Sequence, residues 1–143
     1  MIHVVLDTNV WVSGLLWRGA PWQVLRLAED GQITIWAAAA IMQEVQDTLQ
    51  YPRLQPRRLT LGLEVADLMA HALALTSLVE VMDIPAVVTD DPDDDIFLAC
   101  AQTVTATYLI SGDRHLLALG AQQDFTIVQP HIFLARAFPL PES

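Results

Sequence analysis

The sequence predicts an α/β fold in which helices cover both faces of a mainly parallel sheet. Strand-like runs alternate with helical runs along the chain, and 53% of the residues are hydrophobic. Strands that alternate with helices need crossover connections, which place helices on both faces of a parallel sheet. A chain of 143 residues is long enough to bury about 68–70% of its unfolded surface. We therefore expect one compact domain over residues 1–143.

Five short runs rich in β-branched or aromatic residues are predicted as strands. They cover residues 2–6, 33–36, 78–82, 108–110 and 125–128. The first run ends in three apolar residues, "VVL", and the third has apolar residues on either side of a single acid, Glu80. In sheets of this kind, ligands bind at the carboxyl ends of the strands.

The segments between these runs are predicted as helices from their apolar spacing. They cover residues 21–30, 38–50, 59–76, 93–105 and 115–119, with a brief helical turn after Pro130. The first helix has Trp22 and Leu25 at helical spacing, and the third has Leu61 and Leu68 on one side. The second, rich in alanine, ends before Pro52, because the residue that precedes a proline avoids the helical region.

The charge balance limits the possible partners and mechanisms. Seventeen acidic residues stand against seven arginines and no lysine, for a formal net charge of −10. A surface of that sign repels nucleic acid, so a phosphate-bearing partner needs bound cations or a local arginine patch. The absence of lysine excludes every mechanism that uses a lysine base, a Schiff base or a phosphate-binding lysine.

The single cysteine and the hydrophobic pattern bear on the cellular compartment. Cys100 alone excludes an intrachain disulfide and a cysteine-based zinc cluster, and we expect it to be an inert core residue. Polar residues or proline interrupt each apolar stretch before about 18 residues, and the N-terminus lacks the pattern of a signal peptide. We expect a soluble cytoplasmic protein with no membrane segment.

Four acidic side chains are placed where they could meet at one edge of the sheet. Asp7 follows the first strand in "VVLDTNV", and Asp113 comes just after the fourth strand. Asp94 precedes Leu98 by four residues and Ala101 by seven, which puts it above an apolar, inward stripe of its helix. The fourth acid lies well inside the helix that follows the second strand, in "IMQEV", and is Glu44.

Each acid also has a simpler structural interpretation. Asp7 is suited to capping the segment that follows it, and Asp113 is suited to a turn. The five aspartates within residues 90–95 are typical of a solvated helix N-terminus, which favours negative charge. Glu44 on an alanine-rich helix is typical of a surface position, and Asp95 is an alternative to Asp94.

A convergence of carboxylates would predict a metal site. Clustered anions repel and raise one another's pKa, so divalent cations between them stabilise the arrangement. A set of oxygen ligands favours the hard ions Mg²⁺ or Mn²⁺ over zinc. Such ions would hold a phosphate despite the acidic charge of the chain, and Thr8 and Asn9 would orient Asp7 or the phosphate.

Four segments together resemble a PIN domain, the metal-dependent ribonuclease fold found in the toxin half of many toxin–antitoxin pairs. They are "LDTNV", "IMQEV", "DPDDDIFLACA" and "YLISGDRHLL". The resemblance spans nearly the whole chain. It implies a three-layer sandwich with a five-stranded parallel sheet, cleavage of single-stranded RNA, a homodimer and an antitoxin partner.

The resemblance also implies roles for particular residues. The metal ligands of the family fall on Asp7, Glu44, Asp94 and Asp113, with Mg²⁺ or Mn²⁺ as the cofactor. Polar positions that support the family's site fall on Asn9 and Ser111. Arg114, next to Asp113, is placed to contact phosphate or to balance the acids.

Two other classes of function compete with this hypothesis. Receiver domains and dehalogenase-like phosphatases also use Mg²⁺ and an aspartate at a strand end, but they normally need a basic residue, usually lysine. The dehalogenase pattern further requires an aspartate where this chain has Asn9. A catalytically silent binding or scaffold protein is the second alternative, and the complete set of four acids argues against it.

Arginines and tryptophans outside the acidic segments have two interpretations each. Arg53, Arg57 and Arg58 form a basic cluster after the helix of Glu44, suited either to guiding an RNA backbone or to solvation at a helix end. We expect the four tryptophans to be core or dimer-interface residues. They are Trp11, Trp17, Trp22 and Trp36.

Overall fold

The computed structural model describes residues 1–81, 95–121 and 124–139. Its centre is a sheet of five parallel strands in the order β3-β2-β1-β4-β5. The strands are β1 (Ile2–Leu6), β2 (Ile33–Ala37), β3 (Thr76–Leu78), β4 (Tyr108–Ile110) and β5 (Thr126–Val128). The predicted α/β class and parallel five-stranded sheet are confirmed.

The third strand starts earlier than predicted. The apolar run at 78–82 suggested a strand there, but β3 covers Thr76–Leu78 and pairs with β2 from Ile35↔Thr76 onward. Pairing continues for one residue, since the Val79 N–H donates to the Ala37 carbonyl at 3.0 Å. Residue 82 lies outside the described residues. The bounds of β3 are set by its register with β2, which is a long-range property, and not by the local content of apolar residues.

The eight helices of the described residues are α1 to α8 in chain order. They are α1 (Thr8–Leu16), α2 (Ala20–Glu29), α3 (Ala39–Leu49), α4 (Gln55–Leu61), α5 (Val65–Ala74), α6 (Asp95–Thr103), α7 (Arg114–Leu117) and α8 (Pro130–Ala137). The helical turn predicted after Pro130 is thus an eight-residue helix. No helix among the described ranges is long and apolar enough to cross a membrane.

The single helix predicted over residues 59–76 is two helices, α4 and α5. Gly62 ends α4 in the left-handed conformation at φ +69°, which glycine adopts without steric cost. Glu64 then starts α5 with a capping box, in which Asp67 accepts from the Glu64 N–H at 2.9 Å. The turn chemistry of these residues divides a segment whose apolar spacing looks continuous.

Helix α1 was not predicted, and its burial explains why. Its buried residues include the consecutive set Val10, Trp11 and Val12, because α1 packs against α2, α3, α4 and α5. A helix covered on several sides lacks the one-sided apolar period by which helices are recognised. Gly14 allows the close approach of α2: a Cβ at this position would lie 2.8 Å from Leu25 Cδ1.

Several side chains lie in the core as expected. Trp11, Cys100, Leu98 and Ala101 are buried, in line with a packed core and an inward face of α6. Trp17 is 43% exposed, which excludes the core for this residue, and the alternative of a dimer interface stays a prediction. Trp17 follows the last residue of α1.

Candidate active site

Asp7 is a buried carboxylate at the carboxyl end of the central strand. It is 4% exposed and occupies the N-cap of α1, where Oδ1 accepts a hydrogen bond from the Val10 N–H at 2.9 Å. Its own N–H donates to the Ile110 carbonyl at 3.1 Å, which continues the pairing of β1 with β4. The capping interpretation of Asp7 is therefore confirmed. The cap uses only Oδ1, so Oδ2 can accept a hydrogen bond from another group.

Ser111 joins the ends of β1 and β4. Its side chain is fully buried, and its hydroxyl donates to Oδ2 of Asp7. The same hydroxyl oxygen accepts from the Asp113 N–H at 2.9 Å. Asp7, Ser111 and Asp113 thus form one hydrogen-bonded chain across the carboxyl edge of the sheet, which we call the Asp–Ser–Asp chain.

Asp113 begins the helix that follows β4. It is half-buried and caps α7, where Oδ1 accepts from the His115 N–H at 2.7 Å. Asp113 is thus the N-cap of a helix and not the ordinary turn residue of the simpler interpretation, and it lies close enough to Asp7 for its charge to act on that carboxyl. The expectation that Asp7 and Asp113 share one edge of the sheet holds in the structure.

The electrostatics of Asp7 favour a cation at this edge. Burial raises the pKa of the Asp7 carboxyl above its ordinary value of 3.8, and the negative charge of Asp113 raises it further. Hydrogen bonds from Ser111 and from the backbone of Val10 and Asn9 lower the pKa, but less than burial raises it. A divalent cation beside the pair would offset both the burial and the repulsion.

The donor chemistry at this edge fits a hard divalent ion. The polar groups are carboxylate and hydroxyl oxygens, the ligands that Mg²⁺ and Mn²⁺ prefer. The buried Thr8 hydroxyl, next to Asp7 in the chain, has no hydrogen-bond partner among the residues described. Such a group is normally paired, with protein, water or an ion.

Glu44 lies on α3, which packs against α1 and α6. It is half-buried and comes five residues after Ala39, the first residue of the helix, or about 7.5 Å along the axis at 1.5 Å per residue. Across residues 1–81, 95–121 and 124–139, no group of three or more His, Cys, Asp or Glu lies close enough to hold a metal ion. The described structure therefore brings Asp7 and Asp113 together but does not add Glu44 to them as a third ligand.

Of the two aspartates considered at the start of α6, one lies within the described residues. Asp94, the residue selected from the sequence, lies outside the described residues. Asp95, the alternative, is the first residue of α6 and is half-buried. Helix α6 packs against β1, β2, β4 and α3, and it is the element that precedes β4 in the chain.

Of the three predicted substrate-binding residues, Ser111 belongs to the Asp–Ser–Asp chain, and Asn9 and Arg114 are close to its two aspartates in the sequence. Asn9 is exposed in the first turn of α1, and Arg114 is exposed in the first turn of α7. Asn9 also lines a cavity of about 270 Å³ whose walls include Ser13, Gly112 and His131. No sequence pattern pointed to this cavity, because its walls come from α1, α2, α8 and the residues that follow β4.

The predicted basic cluster has structural contacts of its own. The Arg57 Nε–H donates to the Leu16 carbonyl at 2.7 Å, near the C-terminal end of α1. The Arg53 guanidinium lies 5.7 Å from the centroid of the Tyr51 ring. Arg58 Nε is buried and lacks a hydrogen-bond partner in the described part of the chain. Arg57 therefore stabilises the C-terminal end of α1.

Comparison with known families agrees with this architecture. A family model described as a PIN domain matches residues 3–115, a range that includes Asp7, Glu44, Ser111 and Asp113. No curated protein matches the chain. PIN domains are generally nucleases that use divalent metal ions. The match covers more than half of the 143 residues, and the chain therefore belongs to the PIN-domain family.

Proposed function

We propose that this protein is a Mg²⁺- or Mn²⁺-dependent endoribonuclease that hydrolyses phosphodiester bonds in single-stranded RNA. The Asp–Ser–Asp chain is the observation that supports the proposal most directly. It holds a buried carboxylate and a second carboxylate at the carboxyl edge of a parallel sheet, where such folds bind ligands. The family match adds the general nuclease chemistry.

In this proposal Asp7 and Asp113 hold the metal, and Glu44 and Asp94 complete its coordination when the metal binds. When bound, the ion supplies positive charge that lowers the pKa of a water molecule and stabilises the leaving oxygen. Ser111 fixes the orientation of the Asp7 carboxylate, since its hydroxyl bonds Oδ2 while the α1 cap holds Oδ1.

Two exposed residues next to the acids are assigned to the substrate. Arg114 follows Asp113 and can pair with a phosphate oxygen, and the Asn9 amide can hydrogen-bond the same group. Both side chains are exposed and flank the Asp–Ser–Asp chain from two different helices. A phosphate between them would be bound through a guanidinium and an amide without any lysine.

The biological role that we propose is that of the toxin in a cytoplasmic toxin–antitoxin pair, acting as a homodimer. The acidic edge supports this role, because a small partner could neutralise it by inserting an arginine or a lysine beside Asp7 and Asp113. Such a contact would compete directly with the metal ion for the same carboxylates. An antitoxin would therefore suppress cleavage by occupying the site itself.

A cleavage assay on purified protein tests the activity. Mixed-sequence single-stranded RNA is incubated with Mg²⁺, with Mn²⁺ and with EDTA. We expect cleavage with either metal, none in EDTA, and none with Asp113→Asn. Asp30→Asn is the matched control, because Asp30 is an exposed carboxylate at the end of α2 and its substitution changes the charge equally.

A binding measurement on variants whose circular dichroism matches the wild type tests whether the lost activity reflects lost metal. Titration with Mn²⁺, followed by calorimetry, should show weaker binding by Asp113→Asn and unchanged binding by Asp30→Asn. Cleavage by Asp113→Asn at the wild-type rate would refute the assignment. A folded protein that binds Mn²⁺ but cuts no RNA would instead favour the catalytically silent alternative.

A further inference from the structure

The arginines near the C-terminal end of α1 are stacked on aromatic rings. The guanidinium carbons of Arg18 and Arg26 lie 5.2 and 5.3 Å from the centroid of the Trp22 ring. Arg57 lies 5.6 Å from the centroid of Trp17, the residue next to Arg18. At these distances each guanidinium is attracted to the face of the indole ring by a cation–π contact. These five residues form what we call the arginine–tryptophan patch.

The patch holds three of the seven arginines of this acidic chain. The chain has no lysine to add positive charge elsewhere. Trp17 is 43% exposed, Arg18 is exposed, and the Arg26 side chain is 54% exposed. Arg26 also forms an ion pair with Glu29 at 3.4 Å, and the carboxylate offsets the positive charge that Arg26 adds to the patch. The patch thus offers both positive charge and flat apolar surface to solvent.

The position of the patch relates it to the candidate active site. Asp7 caps one end of α1 and Trp17 follows the other, so the ten residue steps between them correspond to about 15 Å at 1.5 Å per residue. The cavity beside Asn9 extends along this side of α1, because its walls include Ser13 of α1 and Ala20 and Pro21 at the start of α2. A strand bound at the acids could therefore follow α1 toward the patch.

We propose that the arginine–tryptophan patch binds the single-stranded RNA that flanks the cleaved phosphodiester, an inference that rests on the proposed function. Single-stranded nucleic acid combines the two features that the patch can recognise. Its phosphates pair with guanidinium groups, and its unpaired bases stack on aromatic rings and on arginine planes. An acidic peptide offers the charge but not a flat base at each unit.

Salt dependence of binding tests the charged part of the patch. A labelled mixed-sequence single-stranded RNA is titrated in EDTA, which prevents metal-dependent cleavage, over a series of NaCl concentrations. Each phosphate contact contributes about −0.7 to the slope of log K against log salt for single strands. Arg18→Gln should therefore weaken binding and reduce the slope by about 0.7. Arg136→Gln, an exposed arginine in the last turn of α8, is the matched control and should behave as the wild type.

A second variant tests stacking separately from charge. Trp17→Leu keeps an apolar side chain but removes the ring, so we expect roughly 5- to 160-fold weaker binding, the range for one stacked base, with an unchanged slope. A poly-glutamate peptide is expected to bind much more weakly than the RNA. Equal binding of the peptide, no binding of RNA by the wild type, or Arg18→Gln that matches Arg136→Gln would each overturn the proposal.

The binding and cleavage assays can fail independently. Binding in EDTA requires neither the metal nor hydrolysis. If RNA binds through the patch but is never cut, the proposed activity fails and the patch assignment stands. If RNA is cut but Arg18→Gln binds with the wild-type affinity and slope, the patch assignment fails and the activity stands.

Discussion

Replacing Ser111 with alanine removes the central group of the Asp–Ser–Asp chain. The substitution deletes a fully buried hydroxyl that donates to Asp7 Oδ2 and accepts from the Asp113 N–H at 2.9 Å. Alanine fits the same space without a new steric contact. The effect therefore comes almost entirely from the two hydrogen bonds.

The two bonds set the size of the expected effect. A hydrogen bond to a charged group contributes about 1.5–3 kcal/mol to stability, and a neutral one about 0.5–1.5 kcal/mol. We expect Ser111→Ala to lower the free energy of unfolding by roughly 2–4 kcal/mol at neutral pH. The loss should shrink in acid, because the bond from Ser111 lowers the pKa of Asp7 and acts on its ionised form.

A double-mutant cycle with Asp7→Asn isolates the charged bond. Urea unfolding is measured in EDTA for the wild type, both single variants and the double variant. The loss caused by Ser111→Ala should be smaller in the Asp7→Asn protein by about 1 kcal/mol, the difference between a charged and a neutral bond. Ser77→Ala, at a half-buried serine of β3, is the control and should change stability by less than about 0.5 kcal/mol. Equal losses in the two backgrounds would refute the bond to the ionised carboxylate.

Three further predictions concern the buried groups. Because burial raises the pKa of Asp7 above 3.8, its contribution to stability is fully present below that pH and is lost as the pH rises through the native value. The stability of Asp7→Asn in EDTA, relative to the wild type, should accordingly rise between about pH 3 and pH 7. Urea unfolding measures the difference in free energy between the two proteins, and a difference that stays constant across that range would contradict the prediction. Gly14→Ala should lower the free energy of unfolding by about 1 kcal/mol, because overpacking against Leu25 at 2.8 Å and the Pro21 carbonyl at 3.0 Å outweighs the gain in helix propensity. Gly19→Ala, with only an ordinary contact at 3.9 Å, is the control. Equal melting temperatures of the two variants would show that α2 moves away freely. Burial raises the pKa of the Cys100 thiol to about 11. Alkylation of Cys100 by iodoacetamide near pH 8 should therefore be undetectable in the native protein and rapid in urea. Rapid labelling of the native protein would show that α6 opens readily.

Local sequence patterns predicted most of the elements that carry the site. The run ending in "VVL" is β1, and the residues predicted for β4 match the strand. The alternation of strands and helices correctly predicted a parallel sheet, and with it the common edge of Asp7 and Asp113. These features follow from the chemistry of adjacent residues, which is why sequence reasoning reaches them.

The predictions of individual elements were wrong where packing or turn geometry outweighed the local sequence pattern. Helix α1 is covered on several sides, so its sequence lacks a one-sided period. The continuous apolar spacing of residues 59–76 hid the left-handed Gly62 that separates α4 from α5. For Trp17 the sequence left both a core and a dimer-interface position open, and the exposed helix end excludes only the core.

By itself the sequence determined the fold class, the positions of the acids after strands, and a charge that requires cations or arginines for any contact with phosphate. Only the tertiary structure decided that one buried hydroxyl connects Asp7 with Asp113, and that the arginines stack on Trp17 and Trp22. The physical reason is distance along the chain. Ser111 and Asp7 are 104 residues apart, so their contact depends on the register of β1 with β4, which no local pattern encodes.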